Sequence, residues 1–309
     1  MNIQLEEKLR QLEQKKRELN PGDRLYKEID EQINGFLQDH LHDLDPWDRI
    51  SLARASNRPK AQDYIPYLFS DFMEFHGDRK YGEDAAIMGG IAYFNEEPVT
   101  IIAQSKGKTI EENIQKNFGM VLPEGYRKAI RLAKQAEKFH RPIITFVDTA
   151  GAYPGKGAEE RGQAQAIADC LYTFSDIQTP ILCVVLSEGG SGGALALSVA
   201  DRIVMLENAV YSILSPEGFA SILWKDETRA KEASQVMKLT SMDLYQKGII
   251  DHIIFEDRQG AQESFSGVLD ALYLYIEKEL KELKKCKIDA LVKNRYSKFR
   301  KMGVPTWKM

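Results

Sequence analysis

The run Pro180-Ile181-Leu182-Cys183-Val184-Val185-Leu186-Ser187-Glu188-Gly189-Gly190-Ser191-Gly192-Gly193-Ala194-Leu195-Ala196-Leu197 constrains the fold of this chain more than any other segment. A short apolar stretch bounded by a turn signal predicts a buried strand. Ala194-Leu195-Ala196-Leu197 is strongly helix-forming. The glycines between predict a tight turn that leaves the first helical N–H groups bare and lets a ligand approach the backbone. Such N–H groups carry partial positive charge and suit an anion or a developing oxyanion. The segment therefore predicts a site made of backbone rather than of side chains.

A second unit of the same kind lies upstream. Pro142-Ile143-Ile144-Thr145-Phe146-Val147-Asp148 predicts another buried strand, which feeds the turn Thr149-Ala150-Gly151-Ala152-Tyr153-Pro154-Gly155-Lys156-Gly157 and a helix starting near Ala158. Two strand, glycine-turn, helix units predict a layered α/β fold with two amide-lined loops at one edge.

The surrounding chain fits that reading. Leu5, Leu9, Leu12 and Leu19, then Leu25, Ile29, Ile33 and Leu37, fall at helical spacing on either side of Asn20-Pro21-Gly22-Asp23, predicting an αα-hairpin whose narrow apolar stripe must pack on the main domain or on another subunit. Asp45-Pro46-Trp47 opens a short helix closed by Pro59. Residues 86–94 and 98–104 read as a β-hairpin, and Pro123 opens a helix running to Phe139. Strands are expected at 202–206 and 210–214, and Ser215-Pro216-Glu217 reads as a capped helix start. The region from Gln262 is mostly helical.

Charge and cysteine usage exclude several classes. With 42 Lys/Arg against 46 Asp/Glu the chain has no overall nucleic-acid footprint. A basic excess, eleven Lys/Arg against four Asp/Glu over residues 277–309, reads as a solvated helix face or a surface for an acidic or phosphorylated partner. No apolar run has membrane-spanning length, the polar start is not a signal peptide, and Cys170, Cys183 and Cys286 are far apart with no Cys-x-x-Cys pair. A cytoplasmic protein without disulfides or structural zinc is expected. The five histidines do not cluster with carboxylates at a metal-ligand spacing, and His40 and His42 are expected on the surface of the second hairpin helix.

Two motifs compete for the glycine turns. Gly189-Gly190-Ser191-Gly192-Gly193 fits Gly-x-Ser-x-Gly and is followed by Asp243 and His252, the order of an α/β-hydrolase triad, although His252 sits in a predicted strand. Asp148-Thr149-Ala150-Gly151 matches a GTPase switch, but neither a P-loop nor a guanine-reading motif accompanies it. The amide loops suit enolate chemistry on thioesters better: a preorganised amide aimed at an oxyanion contributes about 3–4 kcal/mol, and a base carried by the substrate leaves the protein only positioning and electrostatics to supply.

At these same residues the chain resembles the carboxyltransferase α subunits of bacterial multi-subunit acetyl-CoA carboxylases. The matching stretches are Met88-Gly89-Gly90-Ile91, Asn117-Phe118-Gly119-Met120, Pro123-Glu124-Gly125-Tyr126-Arg127-Lys128-Ala129, residues 148–157, Ala158-Glu159-Glu160-Arg161-Gly162-Gln163, residues 188–195, and Ser215-Pro216-Glu217-Gly218 with Ala220-Ser221-Ile222-Leu223-Trp224-Lys225. The resemblance implies a crotonase-like spiral of ββα units over residues 59–309, with residues 1–58 as an N-terminal helical extension. It implies carboxyl transfer from carboxybiotin, held on a biotin carboxyl carrier protein, to acetyl-CoA, giving malonyl-CoA for fatty acid synthesis. It further implies a site shared with a zinc-bearing β subunit in a heterotetramer of two α and two β subunits, with biotin carboxylase in the wider complex and no metal in this chain.

On that resemblance, the backbone N–H groups of Gly151, Ala152, Gly192 and Gly193 are expected to hold the biotin ureido oxygen. Gly155, Gly189 and Gly190 are expected to border the cofactor, and Lys106, Arg127 and Lys156 to place charge near its carboxylate or near phosphates. Three positions depart from the family pattern: Ala150 where proline is usual, Ser187 where glycine is usual, and Gln259-Gly260-Ala261-Gln262 in place of Gly-Gly-Ala-His. They keep open a paralogue acting on another acyl-CoA, alongside the serine hydrolase using Ser191 and a scaffold that binds its partners without turnover.

Overall fold

A computed structural model describes residues 2–303. The chain begins with α1 (Asn2–Arg17), α2 (Arg24–His40), α3 (Pro46–Ala53) and α4 (Ala61–Leu68), then enters a sheet through β1 (Ser70–Glu74), β2 (Ile87–Phe94) and β3 (Glu97–Gln104). Next come α5 (Ile110–Gln115), α6 (Pro123–Lys138), β4 (Ile143–Thr149), α7 (Lys156–Glu160), α8 (Gln163–Asp176), β5 (Ile181–Gly190) and α9 (Ser191–Ser198). The remainder is β6 (Arg202–Leu206), β7 (Val210–Ser212), α10 (Pro216–Trp224), α11 (Ala230–Met237), α12 (Ser241–Gln246), β8 (His252–Ile254), α13 (Phe265–Lys285) and α14 (Ile288–Lys301).

The strands form one sheet in the order β1-β2-β3-β4-β5-β6-β8, with β7 paired to β5. β1, β2 and β3 are antiparallel, and Asn95 and Glu96 adopt positive φ at the β2–β3 turn, the backbone such a two-residue hairpin needs. From β3 onward the pairings are parallel. Parallel strands covered on both faces read as continuous apolar runs, and every residue of β4 is buried accordingly. The parallel strands end together at the edge where the glycine turns lie, the position at which open α/β sheets bind ligands.

The α1–α2 hairpin packs on the main body, answering the alternative its stripe left open. Leu9, Ile29, Ile33, Phe36 and Leu37 belong to the same buried cluster as the sheet. Leu25 departs from the stripe and is half exposed. Buried polar links reinforce the docking: Glu6 and Glu13 of α1 lie 2.8 and 2.9 Å from the two ring nitrogens of the fully buried His252, and Arg17 pairs with Glu279 of α13. His40 is exposed as expected, but His42 lies past the end of α2, half-buried, with its ring 3.1 Å from Glu207. α3 packs through Ile50 and Ala53 on Val210 and Leu239. That contact delivers the chain after α3 to the end of β5.

Two local readings change. β5 does not stop before the glycines: Glu188, Gly189 and Gly190 pair with Val210, Tyr211 and Ser212 of β7, so only Ser191 turns the corner, at φ +55°. The helix expected near Ala158 is split, because Gly162 (φ +82°) ends the short α7 and starts α8.

Candidate active site

The two glycine segments meet. A Cβ placed on Gly190 would fall 2.0 Å from the Ala150 carbonyl oxygen, and one on Gly193 would fall 2.5 Å from Ala152 N and 2.9 Å from Tyr126 Oη. Glycine at these two positions is what allows the end of β4 and the start of α9 to touch. Side chains then lock the junction: Gln104 Nε2 donates to Gly193 O (2.8 Å), and Gln163 Nε2 donates to Val121 O (2.7 Å) and Tyr153 O (3.0 Å). Thr149 Oγ1 sits 2.6 Å from Gly119 O and accepts from Gly151 N at 3.1 Å.

That last bond corrects one expectation, since the Gly151 N–H already has an intrachain acceptor. Among the described residues, Ala152 N, Gly192 N and Gly193 N have none. The latter two belong to the first turn of α9, where no carbonyl four residues back is available.

Beside the junction opens a cavity of about 290 Å³. Its wall is cationic: Arg54, Arg58, Lys60, Lys106 and Lys108 line it with Asp148, Ala150, Ser187, Glu188 and Phe118. Lys106 is the centre of the charge network, with Nζ 2.8 Å from Asp148 at the end of β4 and 2.8 Å from Glu188 at the end of β5. Burial by itself disfavours the Lys106 ammonium, but the two carboxylates outweigh it and hold its pKa above the usual lysine value. Burial likewise works to raise Glu188, and Lys106 with Arg54 pulls it below the ordinary carboxylate range. Arg54 bridges outward, its Nε 2.7 Å from Glu188 and its Nη1 2.7 Å from Glu217 at the start of α10. Lys60 differs: its Nζ donates to the carbonyls of Ser56 (3.1 Å) and Arg58 (3.0 Å), and burial depresses its pKa. Both carboxylates facing the cavity are thus tied to a cation, and neither is a free base.

The predicted residues divide. Gly151, Ala152, Gly192 and Gly193 come together at the junction, and Lys106 stands beside them. Gly189 and Gly190 are taken up by the β7 pairing, with Gly189 leaving room for the Tyr211 ring, which a Cβ would approach to 2.6 Å. Gly155 caps α7, where a Cβ would lie 2.3 Å from the Tyr153 ring. Lys156 is 89% exposed beside Glu160, away from the cavity. Arg127 turns into another groove, its Nε 2.7 Å from Asp78.

Sequence reading missed Arg54, Arg58 and Lys60. Their signal was the density of cations in Arg54-Ala55-Ser56-Asn57-Arg58-Pro59-Lys60, which reads as linker until α3 is seen to pack against β7. The unusual Ser187 belongs to the same contact: its buried hydroxyl donates to Ala53 O at the end of α3.

The competing motifs do not assemble. Ser191 has the strained φ of a nucleophile elbow, but His252 is buried between Glu6 and Glu13, and Asp243 caps α12 through Thr240. A hydrolase triad is therefore not formed. The expectation that no histidine joins carboxylates at a metal-ligand spacing also needs correction. His76, Glu74 and Glu83 converge within 4.8 Å, because β1 and the loop after it fold over α6, but the Lys128 ammonium already occupies that acidic cluster.

Comparison with known proteins identifies the family and the fold. The family model for acetyl co-enzyme A carboxylase carboxyltransferase-like proteins matches residues 2–303. The acetyl-coenzyme A carboxylase carboxyl transferase subunit alpha of Clostridium acetobutylicum is 56% identical over 265 residues, covering 86% of this chain and 97% of that protein. Its namesake from Halalkalibacterium halodurans is 50% identical over 297 residues, covering 96% and 91%. Among solved structures, the transcarboxylase 12S hexamer core matches with TM-score 0.57 and 20% identity, over 74% of this chain but only 44% of that one. A Pseudomonas malonate decarboxylase heterotetramer matches with TM-score 0.57 and 15% identity, over 70% and 86%. These structural matches place the α/β sheet in the crotonase-like fold. With matched sequence along nearly its whole length, the chain belongs to the acetyl co-enzyme A carboxylase carboxyltransferase-like family.

Proposed function

We propose that this chain is the α-type half of a biotin-dependent carboxyltransferase and, with a β-type partner, transfers a carboxyl group from carboxybiotin on a carrier protein to acetyl-CoA, giving malonyl-CoA. The observation that carries the reading is the junction of Gly151-Ala152 with Gly192-Gly193 beside the cationic cavity. The donor set fits the group: backbone N–H groups without acceptors suit a ureido oxygen, and a wall of Arg54, Arg58, Lys60 and Lys106 suits a carboxylate. When bound, carboxybiotin supplies the carboxyl group and the base. The chain itself orients and stabilises: Ala152, Gly192 and Gly193 offer N–H donors, and Lys106 fixes the ends of β4 and β5 through Asp148 and Glu188. Residues 1–58 act as an extension that completes the cavity through Arg54 and Arg58. Lys156 and Arg127 take no part.

Free Cys170 and Cys183, both buried, support a reducing, cytoplasmic setting, and among the described residues no helix is long and apolar enough to cross a membrane. The test measures malonyl-CoA formation from carboxybiotinylated carrier and acetyl-CoA, with this chain alone, the β partner alone, and both. Turnover only in the mixture is expected. A mixture that co-purifies yet leaves acetyl-CoA uncarboxylated overturns the assignment.

A further inference from the structure

A second cationic site lies outside the glycine junction. Arg127, Arg131 and Lys134 fall at i, i+4 and i+7, so α6 presents them on one face. With Arg79 and Lys80 from the loop after β1, and Tyr172 from α8, they line a groove of about 510 Å³.

Of the five cations in this groove, Arg127 alone is paired with a carboxylate among the described residues. Asp78 is already saturated: its Oδ1 accepts from the N–H groups of Lys80 (2.8 Å), Tyr81 (2.7 Å) and Gly82 (3.0 Å), and its Oδ2 takes Arg127. Asp169 on the opposite wall accepts from Gln165 at 2.7 Å and is paired with no cation. Among the described residues Arg79, Lys80, Arg131 and Lys134 have no carboxylate within ion-pair distance, in a chain otherwise rich in such pairs.

Two guanidiniums are instead pinned to successive carbonyls. Arg79 Nη1 donates to His76 O at 2.7 Å, while Arg131 donates through Nε to Gly77 O at 3.1 Å and through Nη2 to His76 O at 3.3 Å. Burial depresses Arg131 and the neighbouring charge of Arg79 adds to it, with Glu83 and Asp78 offsetting only part of the shift. Arg79 also keeps a left-handed backbone (φ +66°) to stand there. Fixed, uncompensated guanidiniums are the standard recognition element for phosphate oxygens. Tyr172, 78% exposed, adds a bare aromatic face at the rim.

We propose that the groove between α6, α8 and the 76–82 loop binds the phosphates of a nucleoside diphosphate-type anion, with Arg79 and Arg131 on the phosphates and Tyr172 against the base. The ligand chemistry is shared by a free nucleotide and by the nucleotide end of a coenzyme A thioester. The proposal does not rest on the carboxyltransferase reading, because its test reads binding and not turnover.

The test is calorimetric titration of the full chain with inorganic pyrophosphate and with ADP. Both should bind the wild type, ADP more tightly, and Arg79→Gln/Arg131→Gln should weaken both at least about tenfold. Tyr172→Ala should bring ADP down to the pyrophosphate level. Lys281→Gln/Lys285→Gln, which removes two exposed charges from α13, controls for bulk charge and should change neither. Thermal melting of each variant checks folding. Displacement of bound ADP by coenzyme A assigns the site to the thioester's nucleotide end, and absence of displacement assigns it to a free nucleotide. The proposal is overturned if pyrophosphate binds the double arginine variant as it binds wild type, if neither probe binds wild type, or if ADP gains nothing over pyrophosphate.

Discussion

Alanine at Gly193 and alanine at Gly192 are chemically the same change one residue apart, yet they should behave oppositely. At Gly193 the added Cβ falls 2.5 Å from Ala152 N and 2.6 Å from the Gly151 carbonyl carbon, both backbone atoms that no rotamer change can move. Reaching an ordinary contact requires the two segments to separate by roughly 1 Å. Overpacking of this kind costs about 1–3 kcal/mol, offset in part by the roughly 1 kcal/mol that alanine gains over glycine in a helix. The catalytic penalty should be larger. A donor displaced by that distance from a developing oxyanion gives up most of its stabilisation, on the order of a 10²–10³-fold loss in kcat. At Gly192 the Cβ meets only Ile167 Cγ2, at 3.7 Å, and the helix gains the same propensity. Its melting temperature should equal or exceed wild type, with kcat within about threefold. The assay is carboxyl transfer by the purified complex, with melting curves and co-elution of the partner subunit as controls for folding. The reasoning fails if Gly193→Ala transfers at the wild-type rate, or if Gly192→Ala is equally damaged.

Other perturbations test the rest of the site and its scaffold. Lys106→Met leaves Asp148 buried without its cation and Glu188 with Arg54 alone, and should cost about 3 kcal/mol at pH 8; because a stranded carboxylate is relieved by taking a proton, the deficit in urea denaturation should shrink at pH 5.5. At His252, burial opposes the charged ring, but Glu13 and Glu6 outweigh it and push the pKa up to about 9 from 6.5. The folded value lies above the unfolded one, so this stabilisation is complete below about pH 6.5 and is lost as pH rises through 9. His252→Gln should therefore be less stable than wild type by a few kcal/mol at pH 6 and differ far less at pH 10; a constant difference across that range would count against the clamp. Ser191→Ala should leave carboxyl transfer within about twofold, since His252 is held by Glu6 and Glu13, and a collapse of activity would reopen the nucleophile.

Local signals carried the sheet and the capped helices. The β2–β3 hairpin, α6 opening at Pro123, and α10 opening at Ser215, whose hydroxyl accepts from Gly218 N at 3.1 Å, each follow from a few adjacent residues. What stayed hidden depends on distant partners. Gly189 and Gly190 look like turn residues because their strand partner, β7, begins only after another strand has intervened. The Gly151 amide looks free until Thr149 is seen to fold its hydroxyl back on it. Arg54 and Arg58 look like solvated charge until Leu186 O and Glu256 take the Arg58 guanidinium in a fully buried site. Arg127 and Lys156 are expected from the resemblance to place charge near the carboxylate or phosphates, but the structure carries one into a separate groove and the other into solvent.

The clamp on His252 also bears on how the chain is made. The buried polar partners of Glu6, Glu13 and Arg17 in α1 are His252 of β8 and Glu279 of α13, 239 to 262 positions further on. A nascent chain therefore carries an α1–α2 hairpin with an unpaired acidic pair and an uncovered apolar stripe until the residues of β8 and α13 have been made. The hairpin becomes a late-closing element, joining the main body after the sheet edge at β8 exists. Loop closure over such separations is slow, which makes the interval before docking the time when this protein is most exposed to aggregation and proteolysis.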